Sequence, residues 1–220
     1  MTNMKLAIFD IDNTLIAGDS DVLWGDFLCE RNYVDSKSYK ADHEKYYKDY
    51  LDGDLNIEDF LKFQLKVLGE NDFDQLIEWR NGFFEEKIKP IILNKAHQLI
   101  DYHRKQDHEL LIITATNRFI VEPIATEFKI ENLIACEPEL KNHKFTGNFI
   151  GIPSYSEGKV VRFNDWLKHM GHQVTESWFY SDSHNDIPLM KEVNNPIAVD
   201  PDETLKNEAI KMNWPIISLR

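Results

Sequence analysis

The sequence predicts an α/β protein: a parallel sheet with helices on both faces, interrupted by a helical insert after the first strand. Short apolar runs, which are typical of strands buried on both faces, alternate with helix-like segments in the second half of the chain. Such alternation predicts a parallel sheet. The long stretch between the first two runs has apolar residues at helical spacing and no strand-like run, which indicates an inserted subdomain.

The first apolar run, Leu6 to Phe9, predicts a buried strand, and acidic residues follow it directly. From about residue 18 to residue 86 the chain is rich in aromatic and charged residues, and its spacing predicts about four helices. The predicted domains are therefore a core formed by residues 1–17 and 88–220, and a helical insert formed by residues 18–87.

After residue 90 the remaining elements alternate. The predicted strands lie at residues 110–113, 133–135, 178–180 and 197–199, with a last edge strand at 216–217. The predicted helices span about residues 91–105, 118–128, 157–170, a short stretch ending at 190, and 202–212. Within residues 143–151, Thr146-Gly147-Asn148 predicts the turn of a small β-hairpin.

Length, charge and cysteine content exclude several classes of protein. The 220 residues, with 25 Lys and Arg against 38 Asp and Glu, carry a formal net charge of −13. This balance argues against binding to duplex nucleic acid or to an anionic membrane surface. No stretch approaches the ~18 apolar residues of a membrane span. Cys29 and Cys136 fit neither a disulfide framework nor a zinc pattern, and predict buried, reduced side chains in a cytoplasmic protein.

Polar residues follow the predicted strands at the edge where parallel sheets bind ligands. Clustered carboxylates repel one another unless a cation lies among them, and oxygen ligands suit Mg²⁺. One carboxylate can attack phosphorus, a second can protonate the leaving oxygen and later activate water, and a hydroxyl and a lysine can hold the phosphate. The pattern predicts phosphoryl transfer by Asp10 and Asp12 after the first strand, Thr114 to Thr116 after the second, Lys159 at a helix start, and Asp182 and Asp186 after the fourth strand.

The run Phe9-Asp10-Ile11-Asp12-Asn13-Thr14-Leu15 resembles the first motif of the haloacid dehalogenase (HAD) superfamily. Thr114, Lys159, and Asp182 with Asp186 resemble its second, third and fourth motifs, in the same order along the chain. The resemblance covers nearly the whole chain. It implies the HAD fold, a Rossmann-like parallel sheet core, with the inserted small helical cap domain of the phosphoserine-phosphatase-like branch.

The resemblance also implies roles for the motif residues. Asp10 would be the nucleophile and Asp12 the general acid and base. Thr114, Ala115 and Lys159 would bind the phosphate. Asp10, the Asp12 carbonyl and Asp182 would bind Mg²⁺, and Asp186 and Ser183 would support the metal site. Three residues next to the motifs, Asp19, Asn117 and Arg118, are candidate substrate contacts. For Asp19 the alternative is an acid that stabilises a helix N-terminus, and for Arg118 it is a solvated helix residue.

Within the superfamily, the sequence resembles one bacterial group in particular, labelled phosphoserine-phosphatase-like or histidinol-phosphatase-like. The runs that carry it are Gly18–Asp21, Thr114–Phe119, Tyr180–Asp186 and Trp214–Ile216. True phosphoserine phosphatases have glycines after the second-motif serine, where this chain has Ala115 and Thr116. They also have a cap arginine for the serine carboxylate, and the predicted helix over residues 59–68 offers only lysines, which are poorer bidentate partners.

These inferences predict a Mg²⁺-dependent phosphatase for a small phosphomonoester, with histidinol phosphate and phosphoserine both open as substrates. A phosphotransferase to another alcohol is the alternative. A signalling receiver domain uses similar residues, but it is shorter and lacks a helical insert. An aromatic cap with acids such as Asp19 favours a cationic leaving group. Nothing in the sequence indicates a particular oligomeric state.

Overall fold

A seven-stranded sheet lies at the centre of the computed structural model, which describes residues 3–52 and 55–220, without the side chains of residues 47 and 51. The strands are β1 (Asn3–Phe9), β2 (Glu109–Asn117), β3 (Asn132–Lys141), β4 (Lys144–Ile150), β5 (Gln173–Ser181), β6 (Asn195–Val199) and β7 (Ile216–Ile217). Their order across the sheet is β4-β3-β2-β1-β5-β6-β7. All neighbours are parallel except β3 and β4. The predicted α/β class with a parallel sheet is confirmed.

Helices cover the sheet and form the segment between β1 and β2. They are α1 (Ser20–Glu30), α2 (Ser36–Asp52), α3 (Ile57–Glu70), α4 (Phe73–Phe83), α5 (Asn94–Arg104), α6 (Arg118–Glu127), α7 (Glu157–Met170), α8 (Ile187–Met190) and α9 (Glu203–Met212). A π-helical turn (Phe84–Ile88) and a 3₁₀ turn (Lys89–Ile91) follow α4. The four helices predicted for residues 18–86 are confirmed, and the division into core and cap domains stays a prediction. Within the described residues, no helix is both long enough and apolar enough to cross a bilayer.

The central strand β1 explains why the sequence places its apolar residues in one continuous run. Its side chains alternate between two cores, with Leu6 and Ile8 facing one and Ala7 and Phe9 facing the other. Helices α7, α8 and α9 pack on the first core, and α5, α6 and the inserted helices pack on the second. A strand with an apolar layer on each face needs apolar residues at every position.

The register of β1 brings the predicted site residues to one edge of the sheet. Phe9 pairs with Ile112 of β2 and with Tyr180 of β5, both in parallel. The residues that follow these three positions therefore leave the sheet side by side. This is the physical basis for the convergence of the first, second and fourth motifs, and Lys159 of the third motif comes from the first turn of α7.

The β-hairpin differs from its prediction. The turn lies at Asn142 and His143, which both have left-handed backbone (φ 49° and 59°), as a two-residue turn between twisted strands requires. The predicted turn at Thr146-Gly147-Asn148 is wrong, because these residues lie inside β4. Gly147 has a φ of 81°, a left-handed conformation that favours glycine, and it lies where α3 approaches the strand.

Helix α3 crosses β4 with backbone almost touching backbone. A Cβ atom added to Gly69 would lie 2.8 Å from both N and Cα of Gly147, closer than any normal non-bonded contact. The helix can approach this strand only because Gly69 has no side chain, whereas a Cβ atom on Gly147 would meet its nearest neighbour, the Leu65 carbonyl oxygen, at an ordinary 3.6 Å. The contact fixes the inserted helices against the hairpin end of the sheet.

We expect Gly69→Ala to lower the free energy of unfolding by about 1–3 kcal/mol, because the added methyl group must displace backbone. The control is Gly82→Ala in α4, where a Cβ would meet Phe27 Cζ at an ordinary 3.6 Å. That change should leave the free energy of unfolding unchanged or raise it by about 0.5–1 kcal/mol. Urea unfolding of both variants checks the difference, and equal effects would contradict the close contact.

Two buried histidines lie between α5 and β5. His103 Nδ1 lies 2.8 Å from His108 Nδ1, and His103 Nε2 lies 2.9 Å from the Tyr180 hydroxyl oxygen. Burial, with a further contribution from the charge of His108, lowers the pKa of His103 to about 4. Both rings sit against Trp178, so His103 is a neutral hydrogen-bonding member of the core.

His103 should make stability fall as the pH drops from about 6.5 to about 4. In that interval the unfolded chain binds a proton at His103 (pKa ~6.5) that the folded protein does not accept, which costs roughly 3 kcal/mol by pH 4. The measurement is the free energy of urea unfolding against pH, in EDTA, for the wild type and His103→Gln. The variant should lack this part of the slope, and identical slopes would refute the pKa assignment.

Candidate active site

A pocket opens at the carboxyl edge of the sheet, beneath the inserted helices. From the sheet side it is lined by Asp10, Asp12, Thr114, Ala115, Lys159, Asp182, Ser183 and Asp186. From the α1 end and the inserted helices it is lined by Asp19, Asp21, His43, Tyr46, Tyr50 and Phe60, among others. The motif residues predicted from the sequence thus share one cavity.

Lys159 forms the floor of this pocket. It lies in the first turn of α7, and its side chain is only 3% exposed. Its Nζ donates to Asp10 Oδ1 at 2.9 Å and to Asp186 Oδ2 at 2.8 Å. Burial alone would lower the pKa of Lys159, but the charges and hydrogen bonds of Asp10 and Asp186 raise it above its ordinary value. One buried cation therefore stabilises two buried carboxylates.

Asp10 follows the last residue of β1, and its backbone N–H donates to the Tyr180 carbonyl at 3.0 Å. Burial raises the pKa of Asp10 to about 7, although the charge of Lys159 opposes the shift; Asp186 and Asp12 raise it further. The raised pKa thus reflects chiefly the loss of water around this carboxylate, with a smaller contribution from its acidic neighbours. An added cation beside it would favour the ionised form.

Asp12 is held by donors on both carboxylate oxygens. The Ser20 backbone N–H donates to Oδ1 at 2.6 Å, and the Thr116 hydroxyl donates to Oδ2 at 2.8 Å. Burial and the charge of Asp19 raise the pKa of Asp12 to about 6, against the effect of these hydrogen bonds. A carboxyl group with a pKa near neutrality, held in a fixed orientation, suits proton donation and proton acceptance.

Asp182 lies opposite Asp10 on the loop after β5. The buried Thr14 hydroxyl donates to its Oδ1 at 3.1 Å and orients the carboxylate. Burial, with the charges of Asp10 and Asp186, raises the pKa of Asp182 well above its ordinary value. Asp186 itself accepts a 2.6 Å hydrogen bond from Ser181 Oγ and makes no capping hydrogen bond to α8.

The donor atoms present fit Mg²⁺. The negative charge of Asp10 raises the pKa of Asp182, so the two carboxylates lie near each other, and a hard divalent cation would remove this repulsion. Among the described residues, no three His, Cys, Asp or Glu side chains form a ready-made metal cluster. A site of two carboxylates, one backbone carbonyl and water is consistent with both observations, because Mg²⁺ commonly keeps several water ligands.

The comparison with known proteins decides the family. A model of the haloacid dehalogenase-like hydrolases matches residues 7–191. The chain belongs to this family. A histidinol-phosphatase from Neisseria meningitidis serogroup C is 41% identical over 98% of this chain and 99% of its own length.

Solved structures agree with this assignment. A Bordetella pertussis protein of unknown function has a TM-score of 0.94 with 36% identity and full coverage of both chains. A substrate-bound phosphoserine phosphatase shares the fold, with a TM-score of 0.72 at 17% identity over 100% of this chain and 95% of its own. The HAD resemblance read from the motifs is confirmed, and this HAD hydrolase is an enzyme of the phosphatase class.

Two of the candidate substrate contacts lie outside the pocket of this HAD hydrolase. Asn117 accepts a hydrogen bond from the Ile120 backbone N–H and caps α6. Arg118 forms a two-point ion pair with Glu137, at 2.7 and 2.9 Å, and donates to the Leu133 carbonyl. The structure therefore gives both residues structural contacts and does not support their prediction as substrate contacts.

Asp19 combines the two interpretations proposed for it. It lines the pocket, and its Oδ1 accepts from the backbone N–H groups of Asp21 and Val22 as the N-cap of α1.

Ser183 also lines the pocket, but its hydroxyl contacts Tyr50 on α2 at 3.1 Å and caps the turn after β5. It thus links the fourth motif to the inserted helices.

Several pocket residues were not among the candidates. For Asp21, which lies in the first turn of α1, no sequence signal distinguishes stabilisation of a helix N-terminus from a place in a site. Tyr50 and Tyr155 reach the loop after β5, with the Tyr155 hydroxyl donating to Asn185 at 2.9 Å. Their helical or loop spacing is that of core aromatics, so only the packed structure shows which of them face the pocket.

We expect Lys159→Met to lower the free energy of unfolding by about 3–5 kcal/mol at pH 8, since it leaves two buried carboxylates without a cation. The loss should be smaller at pH 5, because without Lys159 the carboxyls have raised pKa values and protonate. Urea unfolding in EDTA measures both. Lys168→Met, an exposed position on the same helix, should change the free energy by less than about 0.5 kcal/mol. A loss independent of pH would contradict the ion-pair account.

Proposed function

We propose that this enzyme is a Mg²⁺-dependent phosphatase that hydrolyses a small phosphomonoester through an aspartyl-phosphate on Asp10. The observation that carries the proposal is the buried Lys159 ion pair. It holds Asp10 Oδ1 in place, and within the described residues no hydrogen bond is made to Asp10 Oδ2. A carboxylate fixed through one oxygen presents the other as a nucleophile.

The reaction then uses the two aspartates in turn. Asp10 Oδ2 forms a bond to phosphorus while the bond to the ester oxygen breaks, and Asp12 gives its proton to the leaving alcohol. Asp12, now ionised, takes a proton from a water molecule that attacks the aspartyl-phosphate. The second step releases inorganic phosphate and restores Asp10.

The phosphoryl group would be held from the floor and one side of the pocket. Lys159 neutralises negative charge on its oxygens, and Thr114 and Ala115 at the end of β2 supply polar contacts. The carboxylates of Asp10 and Asp182, with the Asp12 carbonyl, would hold Mg²⁺. When bound, Mg²⁺ neutralises phosphate charge and orients the group for in-line attack.

Histidinol phosphate is the first substrate to test. The relative named histidinol-phosphatase is similar over nearly the full length of both chains, whereas the phosphoserine phosphatase shares only the fold. We place the reaction in the cytoplasm, because both cysteines, Cys29 and Cys136, are free and buried, as in reducing compartments.

The test is release of inorganic phosphate from a panel of small phosphomonoesters with Mg²⁺. Asp10→Asn should reduce release by at least about 10³-fold, since it removes the nucleophile. EDTA should abolish release and added Mg²⁺ should restore it. Asp165→Asn, an exposed carboxylate on α7, is the matched control and should retain wild-type turnover.

Two results would overturn this proposal. Wild-type turnover by Asp10→Asn would remove the nucleophile assignment. Transfer of the phosphoryl group to an added alcohol, in place of phosphate release, would identify a phosphotransferase.

A further inference from the structure

Beyond Asp12, several polar side chains of the inserted helices are buried without hydrogen-bond partners. Gln64 on α3 is 3% exposed, and neither atom of its amide has a partner among the described residues. The same holds for Asp21 Oδ1 on α1 and His43 Nε2 on α2. Buried polar groups in folded proteins are normally paired, so these three residues, here called the buried polar cluster, require an explanation.

Two members of the buried polar cluster face each other. The Gln64 amide lies close enough to Asp21 to lower the pKa of that carboxyl, although the two side chains make no hydrogen bond. Asp21 and His43 both line the catalytic pocket. Asp21 and His43 therefore mark one end of the pocket that holds the nucleophile, and Gln64 lies beside Asp21.

This end of the pocket adjoins the group that protonates the leaving alcohol. The Thr116 hydroxyl donates to Asp12 Oδ2 at 2.8 Å and lies 3.4 Å from Asp21 Oδ2. A single hydroxyl thus separates the general acid from the buried polar cluster. A leaving group bonded to an oxygen beside Asp12 would extend toward Asp21.

The charges at this end select the ligand. Burial, with the charges of Asp19 and Asp12, raises the pKa of Asp21 well above its ordinary value, and a cation bound beside this carboxyl would favour its ionised form. Among the described lining residues Lys159 is the one lysine or arginine, and it already binds Asp10 and Asp186. Tyr46 and Phe60 supply aromatic surface at the same pocket. Acids and aromatic rings favour an organic cation and disfavour a carboxylate.

We propose that the buried polar cluster of Asp21, His43 and Gln64 is the leaving-group subsite, and that it binds the cationic nitrogen of an amino alcohol that carries no carboxylate. Asp21 provides the charge, and the Gln64 amide oxygen and the His43 ring nitrogen accept hydrogen bonds from N–H groups of the ligand. This inference rests on the proposed phosphatase function and names the substrate class that the same pocket accepts.

A matched pair of substrates tests the selectivity. Phosphoethanolamine and phosphoserine differ only by the carboxylate, so kcat/KM should be at least about tenfold higher for phosphoethanolamine. Histidinol phosphate, which adds an imidazole to an amino alcohol, should be better still. Equal or greater kcat/KM for phosphoserine would overturn the proposal.

Asp21→Asn tests the charge. The ratio of kcat/KM for phosphoethanolamine to that for 2-hydroxyethyl phosphate, which has a hydroxyl in place of the amine, should fall at least about tenfold. Asp42→Asn removes the same charge from an exposed position of α2 and should leave the ratio at the wild-type value. An unchanged ratio in Asp21→Asn would refute the subsite.

Gln64→Met distinguishes a ligand-binding role of Gln64 from a purely structural role. The change replaces an unpaired buried amide by an apolar side chain of similar size, so Tm should rise, by about 2–4 °C, while the kcat/KM ratio falls. A purely structural glutamine would give a lower Tm with the ratio unchanged, and that result would contradict the proposal.

Binding of free histidinol to the Mg²⁺-loaded enzyme, measured by calorimetry, distinguishes a failure of the proposed subsite from a failure of the proposed reaction. If no ester is hydrolysed but histidinol binds to the wild type and binds at least about tenfold more weakly to Asp21→Asn, the subsite stands and the proposed reaction fails. If esters are hydrolysed and histidinol binding does not depend on Asp21, the reaction stands and the subsite fails.

Discussion

The Lys159 ammonium joins Asp10 after β1 to Asp186 after β5, two residues that are far apart in sequence and both buried. A buried carboxylate without a partner is costly, so neither acid could occupy this edge of the sheet without the lysine. The lysine also determines which oxygen of Asp10 is engaged. The position of Asp10, the order of the surrounding loops and the proposed binding of a phosphoryl group all depend on this one cation.

On the opposite side of the pocket acidic side chains outnumber basic ones. Asp12, Asp19 and Asp21 lie near one another, and each has a pKa above its ordinary value, chiefly because of burial. The fold tolerates this charge because backbone N–H groups and the Thr116 hydroxyl satisfy part of it. Residues that lower the stability of the free protein in this way are typical of sites shaped for a ligand. The pocket thus has one wall suited to an anion and one suited to a cation, as an ester between phosphate and an amino alcohol requires.

Much of this arrangement follows from short-range patterns in the sequence. The continuous apolar run before Asp10 indicates a strand buried on both faces, and polar residues after such strands must meet at one edge of a parallel sheet. Lys159 was identified because a lysine at a helix N-terminus is electrostatically unfavourable unless something anionic lies beside it.

Other features depend on residues that are distant in sequence. Gly147 resembles a turn residue, but it lies inside β4, where Gly69 of the much earlier helix α3 packs against its backbone. Arg118 appeared free to contact substrate until the fold placed Glu137 beside it. The unpaired amide of Gln64 lies on a helix whose spacing predicts only a buried position, and burial alone does not show whether a partner is present.

The place of β1 in the sheet also governs the order in which the molecule can fold. Among the described strands, β1 is both the earliest in the sequence and the central one, and its partners begin at residue 109 and residue 173. Until those segments are synthesised, β1 has an apolar face on each side and no neighbour at either edge, a state that invites pairing with other chains. The inserted helices form from nearby residues and can fold earlier, because local contacts close quickly. The helical segment that covers the mature pocket is thus available, during synthesis, to cover the strand on which the pocket will later be built.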